Sequence, residues 1–93
     1  MSSEETTRRT QTIKAIAEII EVSPEEIKTG DRLREDLGMD SLGSLELLSI
    51  LSEELHIDLE IEDAMGISTV DDACAFIESS YVAQRGAAQA ADG

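Results

Sequence analysis

The stretch DLGMDSLGSLELLSILSEEL, residues 36–55, decides the fold of this 93-residue chain. Its leucine-rich part predicts a helix from about Ser41 to Leu55. The residues before it predict an ordered loop, in which Gly38 adopts a backbone conformation that residues with a Cβ atom resist. Ser41 therefore stands at a helix N-terminus, an end that presents unpaired N–H groups and the positive pole of the helix dipole.

This predicted helix has more apolar residues than one stripe can hold. The positions that fit a core face are Leu45, Leu48, Leu51 and Leu55, and those that spread further round are Leu42, Leu47 and Ile50. A helix this apolar in a small domain must pack on more than one side, or it presents a patch to a ligand or a partner.

The segment before this stretch predicts one helix and a long loop. An i, i+3, i+4, i+7 stripe indicates the first helix through Ile13, Ile16, Ala17 and Ile20. Ser23 and Pro24 begin a short capped turn, which Ile27 would hold against the core. Residues 28–39 then predict the loop, anchored by Leu33 and Leu37.

The segment after it predicts two more helical elements. A short helical turn is expected at Glu62–Met65, ended by Gly66. The last helix opens at Ser68 or Thr69. Its apolar face consists of Val70, Ala73, Cys74, Ile77 and Tyr81. The chain is therefore predicted to be all-α, an up-and-down bundle of three main helices plus one short helix with a long first loop.

The charge of the chain limits its partners. The formal net charge is −14, and between Glu35 and Glu78 there are 13 acidic residues and no lysine or arginine. Such a surface repels nucleic acid and anionic membranes and attracts basic patches on proteins. We therefore expect no nucleic-acid or membrane partner. A surface that is only solvated and self-repelling is the alternative.

Length and cysteine content set the broad class. The chain is long enough for one domain, expected at residues 8–84 between flexible tails at residues 1–7 and 85–93. Cys74 is the single cysteine, so no intramolecular disulfide is possible and a reducing cytoplasm is the expected compartment. Neither a signal-peptide pattern nor an apolar run of transmembrane length is present in the sequence. We expect a monomer.

Ser41 has two interpretations. Serine is a preferred N-cap residue, because its oxygen accepts from an unpaired N–H of the first turn. Alternatively, a helix N-terminus suits an attached phosphate. His56, the only histidine, lies one helix length away, so no catalytic residue is predicted. No metal site is predicted either, since Leu47 and Thr69 stand where the two possible calcium loops need glutamate.

The string Asp36-Leu37-Gly38-Met39-Asp40-Ser41-Leu42 resembles the phosphopantetheine attachment site of acyl carrier proteins. The resemblance runs from the helix before the loop through Thr69-Val70 to Phe76-Ile77. It implies an acyl-carrier-like bundle of the free-standing type, which is not an enzyme. By this resemblance a phosphopantetheinyl transferase moves 4′-phosphopantetheine from coenzyme A to Ser41. The terminal thiol then carries acyl groups as thioesters to fatty-acid or polyketide enzymes such as ketosynthases and acyltransferases.

The resemblance also implies a docking surface that meets basic patches of these enzymes. Its residues would be Asp36, Asp40, Leu42, Glu46, Glu53, Glu54, Glu62, Asp63 and Met65. Methionine suits a surface that must fit several partners. The acids could instead be the solvated face of the helices.

Three positions depart from the common fatty-acid carrier pattern. Gly43 stands where an acid is usual, Ser52 replaces another acid, and Glu60 stands where proline is frequent. Gly43 would weaken both the transferase contact and the start of the helix. The departures favour a specialised polyketide or secondary-metabolite carrier over a housekeeping fatty-acid carrier. The alternatives are a peptidyl or aminoacyl carrier, which usually has a less acidic docking face, and an unmodified acidic bundle that binds a basic partner.

Overall fold

A computed structural model describes residues 3–86 of the chain. Its helices are α1 (Ser3–Ile20), α2 (Ser41–Leu55), α3 (Ile61–Ala64) and α4 (Val70–Tyr81). A 3-10 turn at Pro24–Glu26 follows α1, and a π-helical turn at Val82–Gly86 follows α4. No strand is formed by the described residues, so the predicted all-α bundle of three main helices and one short helix is confirmed.

The ends of the chain bear on the predicted domain bounds, which stay predictions. Helix α1 begins at Ser3, so residues 3–7 of the predicted N-terminal tail are helical. Arg85 and Gly86 belong to the π-helical turn. Residues 1–2 and the predicted tail beyond residue 86 lie outside the described residues. Over residues 3–86, no helix combines the length and the apolar character needed to cross a membrane.

The core lies between α1, α2 and α4. Its largest fully buried side chains are Ile16, Leu51, Ile77, Val70 and Thr12. The Thr12 hydroxyl donates to the carbonyl oxygen of Arg8 at 2.9 Å, so its burial leaves no unpaired donor. On α4 the predicted apolar face is confirmed, with Tyr81 half-buried at its end. The α1 stripe is right at Ile16 and Ala17, whereas Ile13 and Ile20 pack at the core margin.

The core face of α2 differs from the predicted one. Leu45 is 48% exposed, so its assignment to the core was wrong, and Leu47 is 4% exposed in its place. Leu47 is buried instead of Leu45 because α1 packs on the side of α2 that carries Gly43 and Leu47. Gly43 and Leu47 lie one turn apart on the same side of α2, and Gly43 closely approaches Ile19 of α1. Leu45 points to the opposite flank and is left uncovered.

The helix ends are closed by specific hydrogen bonds. The amide of Gly43 donates to the carboxylate of Asp40 at 2.8 Å at the start of α2. At its other end the exposed His56 takes the left-handed conformation with φ 57°. Thr69 and Asp72 form a reciprocal capping box at the start of α4. The 3-10 turn, by contrast, has no side-chain cap from Ser23.

The long loop before α2 is tied to the start of α4. The amide of Leu33 donates to Ser68 O at 2.8 Å, and the amide of Val70 donates to Asp31 O at 2.9 Å. Leu33 and Ile27 are buried and Leu37 packs against the core, which confirms these predicted anchors. These contacts fix the loop to the bundle and so determine where α2 begins.

A second tie joins the π-helical turn to the connection between α2 and α3. The side-chain amide of Gln84 accepts from the backbone N–H of Asp58 at 2.7 Å and donates to the carbonyl of the same residue at 2.8 Å. Arg85 also donates to the carbonyl oxygen of His56 at 3.3 Å. The short α3 follows this connection and packs against α2.

Candidate functional site

Ser41 is the first residue of α2, and its side chain is exposed. Asp40 occupies the N-cap position, and its carboxylate accepts the hydrogen bond from the amide of Gly43. The interpretation of Ser41 as an N-cap is therefore wrong, because its neighbour fills that role. The Ser41 Oγ atom accepts one hydrogen bond, from Nη2 of Arg34 at 3.3 Å.

The surroundings of Ser41 Oγ suit an anion. Within residues 3–86, no hydrogen bond uses the backbone amides of Ser41 and Leu42, which belong to the first turn of α2. The positive end of the α2 dipole and the guanidinium of Arg34 lie on this side of the serine. Asp40 opposes them, although one of its oxygens is already bonded to the amide of Gly43. A phosphate attached to Ser41 therefore fits the donors that surround it.

The reversal of the chain before Ser41 depends on two residues. Gly38 has φ +73°, a left-handed conformation that a side chain would strain, as predicted. Met39 is 3% exposed, and its amide donates to the carbonyl of Leu33 at 2.8 Å. The buried Met39 holds the loop on the core, so that the next two residues emerge at the surface as the cap and first residue of α2.

Gly43 has a packing role that the sequence did not reveal. It is buried, and a Cβ atom added there would lie 2.8 Å from Cγ of Met39 and 3.3 Å from Cγ2 of Ile19. The absence of a side chain thus allows α1 and the loop to approach the first turn of α2. Glycine at this position was predicted to weaken the start of the helix, but a larger residue would collide with Met39 and Ile19.

All nine residues predicted for the docking surface are exposed. Leu42 and Met65 are 63% and 79% exposed, which is unusual for large apolar side chains in a small domain. On α2, the residues Leu42, Glu46 and Glu53 form one stripe on the face opposite the fully buried Leu51. Helix α3, which packs against α2, supplies Glu62 and Asp63 and is followed by Met65.

Asp36 has contacts that set it apart from the other predicted docking residues. Its carboxylate accepts from the backbone N–H of Arg32 at 2.8 Å and lies 3.4 Å from Nε of the same residue. The backbone hydrogen bond, with the side-chain hydrogen bond second, lowers the pKa of Asp36 below its ordinary value. This carboxylate is thus part of the loop's own structure and is only in part available to a partner.

Some of the 13 acids between Glu35 and Glu78 have cationic partners from outside that run. Glu35 and Asp36 contact Arg32, Asp71 contacts Arg9, and Glu78 contacts Arg8. Within residues 3–86, Glu46, Glu53 and Glu54 form no salt bridge, and neither do Glu62 and Asp63. The uncompensated charge is therefore concentrated on α2 and α3, where the docking surface was predicted.

Ser52 is one of the three departures from the fatty-acid carrier pattern. Its hydroxyl group donates to the carbonyl oxygen of Ile57 at 2.6 Å. This hydrogen bond holds the chain that leaves α2 against the last turn of the helix. A serine at this position therefore has a structural role that an acid would not reproduce.

Cys74 lies away from the site, on the last helix. Cys74 is buried on α4, and desolvation raises the pKa of its thiol above the ordinary value. It borders an open depression of about 410 Å³ between α1 and α4, lined also by Arg9, Glu78 and Val82. Across the described part of the chain, no three His, Cys, Asp or Glu side chains come together as a metal site would require.

Arg34 was not among the site residues predicted from the sequence. It lies seven residues before Ser41, on the far side of the reversal at Gly38, so neither helical spacing nor the attachment motif points to it. The one available signal was its position as the last lysine or arginine before a run of 50 residues, 35–84, without another. The hydrogen bond from its guanidinium to Ser41 Oγ shows that the two side chains are in contact.

Comparison with known proteins places the chain in a family. The profile of the family described as "Phosphopantetheine attachment site" matches residues 11–77. The acyl carrier protein of Sulfurovum sp. is 41% identical over 66 residues, which are 71% of this chain and 88% of that protein. The acyl carrier protein of Prochlorococcus marinus is 39% identical over 79 residues, which are 85% of this chain and 96% of the relative.

Proposed function

The chain belongs to the acyl carrier protein family, whose members hold acyl intermediates on 4′-phosphopantetheine, and we propose that Ser41 is the residue that bears this group. The family consists of carriers rather than catalytic enzymes. Attachment is the work of a phosphopantetheinyl transferase, and the loaded carrier acts with biosynthetic enzymes. For this chain we propose the attachment residue, the docking surface for partner enzymes, the biosynthetic pathway and the cellular compartment.

The position of the Ser41 hydroxyl carries the proposal. It is exposed at the first residue of α2, and the cap function that would otherwise explain a serine there belongs to Asp40. Ser44 and Ser49, the nearest alternatives, lie inside α2 rather than at its start. Of these three serines, Ser41 is the one that lies in the first turn of α2 and whose oxygen accepts a hydrogen bond from a guanidinium group.

Attachment is a phosphoryl transfer in which the chain supplies the acceptor oxygen. A bond forms between Ser41 Oγ and the phosphorus that carries pantetheine in coenzyme A. The pyrophosphate P–O bond breaks, 3′,5′-ADP leaves, and the hydroxyl proton passes to a base of the transferase. When bound, the group supplies a terminal thiol that carries the acyl chain as a thioester. The residues of this chain hold the arm and present it to partners.

The exposed stripe of α2, together with α3, is the docking surface that we propose for enzymes with basic patches. Unpaired acids at Glu46 and Glu53 would attract such a patch over a distance, and Leu42 and Met65 would supply apolar contacts at close range. We propose that the partners include the transferase, a ketosynthase and an acyltransferase.

We further propose a polyketide pathway in preference to fatty-acid synthesis. The departures at Gly43, Ser52 and Glu60 support this preference, and two of them have structural roles here. We propose that the protein works in the cytoplasm as a monomer. The peptidyl or aminoacyl carrier remains the alternative within the fold, and it is disfavoured by the net charge of −14.

Mass spectrometry of the intact protein tests the proposal. Incubation with coenzyme A and a broad-specificity transferase should add one phosphopantetheine to the wild type, and to the matched controls Ser44→Ala and Ser49→Ala. Ser41→Ala should fold, as judged by circular dichroism, and should stay unmodified. Modification of the Ser41→Ala protein would overturn the assignment of the residue. A wild type that no transferase modifies would instead favour the unmodified acidic bundle.

A further inference from the structure

Arg34 is the cation closest to the proposed attachment atom, and the structure gives it no competing partner within residues 3–86. Its Nη2 atom donates to Ser41 Oγ at 3.3 Å. Arg32, two residues earlier, is by contrast engaged with both Glu35 and Asp36. The two arginines of the loop are thus divided between two tasks, one internal to the loop and one directed at the serine.

Attachment of the prosthetic group adds a negative charge at Ser41. The neutral hydroxyl group becomes part of a phosphodiester, which has one negative charge shared by two non-bridging oxygens. Asp40, the adjacent cap, is an acid, and the surface that continues along α2 is acidic as well. The helix N-terminus offsets part of this repulsion. Arg34 is the one side-chain cation in contact with the serine among the described residues.

From this geometry we propose that Arg34 is a positioning residue for the prosthetic group, which binds the phosphodiester on Ser41 through its guanidinium. The inference rests on the proposed function, because it requires that Ser41 is the modified residue. The phosphodiester oxygens lie two bonds from Oγ, so a guanidinium that already reaches Oγ reaches them with only a side-chain adjustment. Arginine is suited to this task, since its planar fork can donate two hydrogen bonds to one phosphate.

Two consequences follow for the carrier. The root of the arm is held between Arg34 and the first turn of α2, so its orientation is restricted where it leaves the protein. Attachment also converts an idle cation into one half of an ion pair. Arg34 belongs to the loop before α2, and Ser41 is the first residue of that helix. Attachment should therefore stabilise the packing of this loop on α2.

The test compares apo and holo proteins for the wild type and three variants. Arg34→Gln removes the cation, Arg34→Lys keeps the charge without the fork, and Lys28→Gln is a matched control that removes a charge elsewhere in the same loop. Modification is first verified by intact mass. The thermal midpoint is then measured for each apo and holo pair at 0.02 M and at 0.5 M NaCl.

In the wild type and in Lys28→Gln, attachment should raise the midpoint at low salt by about 2–4 °C more than in Arg34→Gln, with Arg34→Lys between them. This difference should shrink at high salt, because exposed charges are then screened. A purely structural role of Arg34 would lower apo and holo midpoints equally. Equal increments in Arg34→Gln and wild type would overturn the inference while leaving Ser41 as the acceptor, whereas absence of modification would overturn the proposed function itself.

Discussion

The guanidinium of Arg8 and the carboxylate of Glu78 form two parallel hydrogen bonds, of 2.6 Å from Nε and 2.8 Å from Nη2, between residues 70 positions apart. The guanidinium also lies 4.1 Å from the centre of the Tyr81 ring. Both charged side chains are largely shielded, at 12% and 26% exposure. This contact joins α1 to α4 outside the apolar core, so it should contribute more than an ordinary surface ion pair.

Replacement of Glu78 by glutamine should lower the free energy of unfolding by about 1–2 kcal/mol, since one charge-assisted pair is lost. Arg8 lowers the pKa of Glu78 below its ordinary value of 4.5. A group with a lowered pKa in the folded state stabilises above its unfolded pKa and loses that contribution as the pH falls through the folded one. The difference between wild type and Glu78→Gln should thus be constant at neutral pH and shrink below about pH 4.5. Urea titrations at several pH values measure it, and Glu54→Gln, at an exposed position, is the control that should change stability by less than about 0.5 kcal/mol.

Added salt should raise the thermal midpoint. The acids without cationic partners on α2 and α3 repel one another, and their repulsion is screened beyond about 10 Å at 0.1 M salt. The pairs made by Arg8, Arg9 and Arg32 are weakened by the same salt, which limits the rise. Magnesium at equal ionic strength should have the larger effect, because a divalent ion bridges neighbouring carboxylates. A midpoint that is flat or falls with salt would show that the paired acids dominate the balance.

Two substitutions on the exposed stripe of α2 should separate the electrostatic and apolar parts of docking. Glu46→Lys should slow association with a basic partner enzyme by about tenfold at low salt, and by much less at high salt. Leu42→Ala removes an apolar contact, so its weaker binding should persist as salt rises. Stopped-flow association kinetics with the transferase measure both, with circular dichroism as the folding control. Unchanged kinetics for Glu46→Lys at low salt would reduce these acids to a solvated face.

Gly43→Ala should lower the free energy of unfolding by about 1 kcal/mol, although alanine is the better helix former by nearly that amount. The added methyl group would meet Cγ of Met39, which is buried and held by the loop, and Cγ2 of Ile19. Gly66→Ala is the matched control, because nothing lies within 4 Å of its Cβ position. Chemical denaturation measures both. If Gly43→Ala is as stable as wild type, Met39 can move aside and the close packing is not a constraint.

The number and place of the helices followed from the sequence because their signals are local. The capping box of Thr69 and Asp72 and the apolar spacing of α4 each occupy a few consecutive turns, and the structure confirms the face of α4. The face of α2 could not be predicted in the same way. With apolar residues at both Leu45 and Leu47, two faces satisfy the helical period, and the approach of α1 beside Gly43 decides between them.

The site was predictable to the extent that it lies in one continuous string. Ser41 and the acid that caps the helix are adjacent, so the motif contains both. Arg34 reaches the same oxygen only because Gly38 reverses the chain between them. No periodicity connects residues on two sides of such a turn. The pairing of Asp36 with Arg32 escaped the sequence for a different reason, because a count of acids does not show which of them a cation already holds.

Ion pairs are distributed unevenly over the described residues, so the charge of their surface is uneven as well. Arg8 and Arg9 offset acids of α4 from the side of α1, and Arg32 does so in the loop, while the acids of α2 and α3 have no such counterweight in the described chain. A body with this asymmetry experiences a torque in the field of a basic surface. It would turn α2 and the first residue of that helix toward the partner while still separated from it, so a larger share of collisions would begin in a productive orientation.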